Sequence, residues 1–98
     1  MKVMAILRAP DTPDLRAELA RQAREEFGAL WQLYRDGVVR EMYSPGRPGA
    51  VLILECESVR AATELLHALP LVASRTVTVE LIELQPFRAF EMLFASRP

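Results

Sequence analysis

Apolar positions along the chain follow two periods, and the switches between them predict the elements. Lys2 to Arg8, KVMAILR, is a short apolar run closed by Ala9-Pro10, which predicts a first strand. Thr12-Pro13-Asp14 predicts a helix start, with Thr12 as cap, Pro13 at the first helical position and Asp14 against the positive end of the dipole. From there Leu15, Leu19, Ala23, Phe27, Leu30 and Tyr34 recur at three- and four-residue spacing, so this stripe is expected to be buried. Arg16, Glu18, Arg21, Arg24 and Glu25 fall on the other face, and Gly37 is placed to end the helix.

Period two then returns. Val38 to Tyr43 predicts a strand, Ser44-Pro45-Gly46-Arg47-Pro48-Gly49 a turn, and Ala50 to Cys56 a second strand. Val51, Leu52, Ile53 and Leu54 are apolar on both alternating faces, so both sides of this strand should be covered. Ser58 is the expected cap of a second helix with Val59, Ala62, Leu65, Leu66 and Leu69 buried and Pro70 ending it. Thr76 to Gln85 alternates and is rich in β-branched residues, a fourth strand stopped by Pro86. Phe87, Phe90, Met92, Leu93 and Phe94 make an apolar tail of one or two helical turns.

The order β-α-β-β-α-β predicts an α+β, ferredoxin-like fold: a four-stranded antiparallel sheet with two helices on one face. The other face would be bare and apolar in a lone chain, so a homodimer through the sheet face is expected, as in a dimeric α+β barrel. Higher assembly stays open, and the apolar tail would embrace the partner. The 98 residues suffice for one domain, 1–98, with a single core.

Composition narrows the function classes. A formal net charge of −1 and the lack of any basic cluster argue against nucleic-acid binding. No apolar run approaches the roughly 20 residues that span a bilayer, so no membrane partner is expected. The lone Cys56 cannot form an internal disulfide, and with no asparagine there is no glycosylation acceptor, which makes cytoplasmic the expected location. One cysteine and one histidine, His67, give no metal-ligand spacing, so neither metal nor organic cofactor is expected.

The run LYRDGVVREMY, the turn after it, the ESV opening of the second helix, then ALPLV and VELIEL, resemble the muconolactone-isomerase-like branch of the dimeric α+β barrel superfamily. The matching positions are Gly37, Arg40, Tyr43, Gly49, Ser58-Val59 and Leu69-Pro70-Leu71, within Leu33 to Leu84. The resemblance implies the ferredoxin-like fold and a small-molecule ligand. Its chemistry is diverse, since the superfamily holds lactone isomerases, cofactor-free monooxygenases, haem enzymes and effector-binding domains. The turn SPGRPG departs from the family by lacking a histidine–aromatic pair, and the segment before the first helix is short.

A lactone isomerisation needs a base near a C–H, a donor for the enolate oxygen and a cation for the carboxylate. Arg8 and Arg40 are the cation candidates, Glu41, Glu55 and Glu80 the base candidates, and Tyr43 the donor. Trp31 and Tyr34 would wall the pocket or join the core. Strand parity puts Arg40 with Met42 and Glu41 with Tyr43, but the turn leaves the register open, and with it which of Arg40 or Glu41 faces a pocket. Each residue also has a plain structural reading. Arg40 with Glu55, or Glu41 with an arginine, would be a cross-strand ion pair, and Tyr43 a rim aromatic. Glu80 would be a satisfied interface carboxylate, His67 a charge at a helix C-terminus and Cys56 a small core hydrophobe. Arg21 and Glu25 would pair on the solvated helix face. The leading functional expectation is a proton-shift isomerase acting on a lactone or oxo acid. The alternatives are a non-catalytic ligand-binding or assembly domain, and a cofactor-free monooxygenase with Trp31, Tyr34 and Tyr43 lining its cavity.

Overall fold

A computed structural model describes residues 1–95. Its strands are β1 (Lys2–Arg8), β2 (Val39–Tyr43), β3 (Gly49–Glu55) and β4 (Thr78–Leu84), and its helices α1 (Leu15–Arg35), α2 (Val59–His67) and α3 (Pro70–Ala73). A 3-10 helix, Arg88–Leu93, follows β4. The sheet is antiparallel with strand order β2-β3-β1-β4, and both long helices cover one face, which is the ferredoxin-like arrangement.

Alternation along β1 sets the two sides of the sheet. Val3, Ala5 and Leu7 are buried against the helices, opposite Leu54, Leu52 and Ala50 of β3. Leu30 of α1, Ala62 and Leu66 of α2, and Leu69, Leu71 and Val72 complete that core. Met4 and Ile6 face the other way, beside Ile53 and Val51 on one flank and Ile82 and Glu80 on the other. Both faces of β3 are therefore apolar, as its sequence required.

Several local signals act as expected. The Ser58 hydroxyl accepts the Ala61 N–H at 3.0 Å and caps α2. Gly37 takes φ +78, and the Val38 N–H returns to the Leu33 carbonyl at 3.0 Å, closing α1 with a glycine turn. The start of α1 differs. Thr12 and Pro13 lie outside it, and the helix begins at Leu15 behind Asp14, whose side chain makes no cap bond. Pro70 also differs: α2 stops at His67, and Pro70 instead opens α3, where its missing N–H costs nothing.

The largest difference is which face of α1 is buried. Gln22, Glu26 and Leu30 are inside, with Leu19 and Leu33 half-buried, whereas Phe27 and Tyr34 from the expected stripe are exposed. The reason is polar. Gln22 donates to the Ser74 hydroxyl at 3.0 Å, and Glu26 accepts the Leu71 N–H at 3.0 Å, so α3 satisfies two groups that hydrophobicity alone would turn outward.

Gly49 sits at φ +139 opposite Arg8, where a Cβ would run into the Leu7 carbonyl; Gly28, within α1, has open space around it. Gly49→Ala should therefore lose on the order of 3 kcal/mol in urea unfolding. Gly28→Ala should gain about 0.5–1 kcal/mol from helix propensity. Equal effects of the two changes would contradict this strand register.

Candidate functional site

The register divides the predicted site residues between the two sides of the sheet. A bulge falls between Val39 and Glu41, after which Glu41 lies opposite Ile53, Met42 opposite Leu52 and Tyr43 opposite Val51. Glu41 and Tyr43 thus share the open face with Met4, Ile6 and Ile53, while Met42 looks toward the helices. Arg40 occupies the bulge and donates its Nε to the Gly37 carbonyl. Parity had offered either Arg40 or Glu41 to a pocket; with the bulge, both border one.

Most of the candidate charges have partners. Arg8 binds Glu80 at 2.7 Å, both well exposed, across β1 and β4. Tyr43 donates its hydroxyl to Glu41 at 2.6 Å, a bond that pushes the phenol above its ordinary pKa. Glu55 meets the N-terminal ammonium at 3.4 Å in place of Arg40, and Arg21 pairs with Glu18 in place of Glu25. His67 Nδ1 contacts the Thr63 carbonyl at 2.8 Å, and half-buried Cys56 has its thiol pushed up by burial.

Beside α1 the space between helix and sheet is hollow. A hollow of 610 Å³ is lined by Phe27, Leu30, Trp31, Tyr34, Arg40, Glu41, Met42, Tyr43 and Ser44. A second, of 720 Å³, is lined by Leu7, Leu19, Glu26, Phe27, Ser44, Arg47, Leu71 and Val77 among others. They share Phe27, Leu30, Ser44, Gly49 and Ala50, so they adjoin along the helix. Trp31 and Tyr34 form a tilted aromatic pair with centroids 5.8 Å apart. Trp31, Tyr34, Arg40, Glu41 and Tyr43 are thus brought to one cavity wall; Arg8 and Glu80 are not.

Glu26 is the residue that sequence reasoning missed. It is 2% exposed, and the burial of its carboxyl pushes its pKa up against the opposing pull of the Leu71 N–H. A buried carboxyl whose pKa is raised, at the wall of a mostly apolar hollow, is suited to taking and returning a proton. The signal was its spacing: Glu26 stands midway between Gln22 and Leu30 on the helix face that also carries Leu19 and Leu33. Among the described residues no three of His, Cys, Asp and Glu come together as a metal site, and no helix is long and apolar enough to cross a membrane.

No family model matches this sequence, and no curated protein matches it. Solved structures do share the fold. Muconolactone isomerase superposes with a TM-score of 0.68 at 20% identity, over 89% of this chain and 93% of that one. The 5-chloro-2-hydroxyhydroquinone dehydrochlorinase of Burkholderia phenoliruptrix AC1100, solved with 2,5-dihydroxybenzoquinone, gives 0.64 at 14% identity, over 87% and 94%. The chain therefore has the ferredoxin-like fold of the muconolactone isomerase-like proteins.

A raised carboxyl pKa in the folded state means that the native protein binds the proton more tightly than the unfolded chain. Its stabilisation is present at low pH and is lost as pH rises from about 4.5 through the raised value. Unfolding free energy of the native sequence minus that of Glu26→Gln should accordingly fall across this window, measured by urea titration at successive pH values. A flat difference would mean that Glu26 is ordinarily ionised.

Proposed function

We propose that this protein is a small-molecule enzyme that moves a proton within a lactone or oxo acid, with Glu26 as the group that carries it. The observation behind this reading is the buried carboxyl at the wall of a mostly apolar hollow. Ionised Glu26 takes the proton from the γ carbon of an α,β-unsaturated lactone, and the resulting neutral acid returns it to the α carbon of the dienolate. Phe27 and Leu30 supply apolar wall to the hollow, beside which a donor to the enolate oxygen would act. Ser44 lines both hollows, so its hydroxyl is a candidate donor, whereas Tyr43, the donor expected from sequence, gives its hydroxyl to Glu41 on the open face. Glu41 and Glu80, the sequence candidates for the base, are each held by a partner on the open face. The two solved relatives lend support, one as a lactone isomerase and the other through its bound cyclic dione.

Incubation with muconolactone and related lactones, followed by ultraviolet absorbance, tests the reaction. Native protein should turn over a lactone, with kcat/KM rising with pH as Glu26 ionises. Glu26→Gln, which keeps a carbonyl to accept the Leu71 N–H, should lose about a hundredfold or more. Absence of turnover by native protein, or a fully active Glu26→Gln, would end the enzyme reading. A non-catalytic ligand-binding domain is the second reading, and one observation favours it: Glu26 already serves α3 as a hydrogen-bond acceptor.

A homodimer through the sheet face belongs to the same proposal. Met4, Ile6, Val51, Ile53 and Ile82 form an apolar field on the face without helices, with the Arg8–Glu80 and Glu41–Tyr43 pairs at its margins. Phe87, Phe90, Met92, Leu93 and Phe94 stand exposed beyond β4 and would add apolar area to such an interface. Light scattering at micromolar concentration should give a dimer mass, and Ile82→Glu, at a position 39% exposed in the single chain, should give a folded monomer. A monomeric native protein would remove the dimer.

A further inference from the structure

Each of the adjoining hollows carries one arginine and one glutamate: Arg40 and Glu41 beside Trp31, Tyr34 and Met42 in the first, Glu26 and Arg47 in the second. Arg8 is bound to Glu80 on the opposite side of the sheet, and Arg40, which lines the first hollow, gives its Nε to the Gly37 carbonyl. Arg47 lines the hollow that holds Glu26, and among the described residues it takes part in no ion pair.

Arg47 lies in the exposed turn between Pro45-Gly46 and Pro48-Gly49, where the two glycines take φ of +82 and +139. Guanidinium also matches carboxylate in a two-pronged geometry that a lysine cannot supply.

We propose that Arg47 is the anion-recognising residue of this cavity and that its ligand is a compact cyclic carboxylate, with the ring against Phe27 and Leu30 and the carboxylate at the hairpin turn. This rests on the small-molecule reading above and assigns the anion clamp to the turn in place of Arg8 and Arg40. The polar end of the ligand then faces the loop and solvent, and its ring carbons lie toward Glu26.

The test uses cyclohexanecarboxylate and its neutral amide as probes, read through the fluorescence of Trp31, the one tryptophan of the chain. Native protein should bind the carboxylate more tightly than the amide. Arg47→Gln should weaken carboxylate binding about tenfold and leave amide binding unchanged. Arg47→Lys should recover part of the loss, and Arg40→Gln should keep the native preference. An unchanged preference in Arg47→Gln, or its loss in Arg40→Gln, would overturn the assignment, as would native protein that binds neither probe. A preference that depends on Arg47 in a protein without lactone turnover would support this clamp while removing the isomerase.

Discussion

The hydrogen bond from the Leu71 N–H to the buried Glu26 carboxylate fixes where the long helix lies, and much else follows from that. Helix α1 packs against α3 on one flank and β2 on the other. Gln22 strengthens the α3 seam by reaching the Ser74 hydroxyl. Breaking a buried bond of this kind leaves an unsatisfied N–H, worth about 1–3 kcal/mol. Held along both flanks, the helix turns Phe27 and Leu30 toward the space above β3 and the hairpin, and the hollows lie there. One of the contacts along that seam is therefore made by the group proposed to act in the cavity.

Register does the second part of the sorting. Side chains opposite one another on neighbouring strands share a face, so pairing Ile6 with Glu80 and Arg8 with Thr78 sends both charges to the side without helices. There they form an exposed ion pair, of a kind that contributes about 0–1 kcal/mol. Glu80 is well exposed in that setting. Glu26, under the helix, is in the opposite setting, and its pKa moves up. Two glutamates of one chain thus differ in chemistry through the face they occupy.

Much of the fold was legible because its signals are local. Strand periods, the Ser58 cap, the glycine at 37 and the proline–glycine turn each act within a few residues, and the order of elements then points to the ferredoxin-like sheet. The buried face of α1 was not legible, since Glu26 is satisfied by a backbone group 45 residues away. Without that partner, a glutamate within a helix reads as solvated surface, and Phe27 and Tyr34 read as core. The bulge at Arg40 was hidden for a similar reason: nothing in a six-residue turn sets where the paired strand slips by one. Aromatic residues at helical spacing carried real information about Trp31 and Tyr34, which wall a cavity instead of filling the core.

At 14–20% identity, likeness to solved structures concerns the path of the backbone. A hollow between the long helix and the sheet is a property of such a path, but what the hollow does depends on the few polar side chains that reach it. In this chain they come from three places far apart in sequence: Glu26 from the middle of α1, Arg40 from the bulge in β2, and Ser44 and Arg47 from the turn. The helix residue is constrained by its bond to α3, so changing it disturbs the fold as well as the cavity. The turn residue is constrained only by its backbone and can change at little cost to stability. On the function proposed above, the acid–base group is tied to the core, while the anion-recognising group sits on an exposed turn.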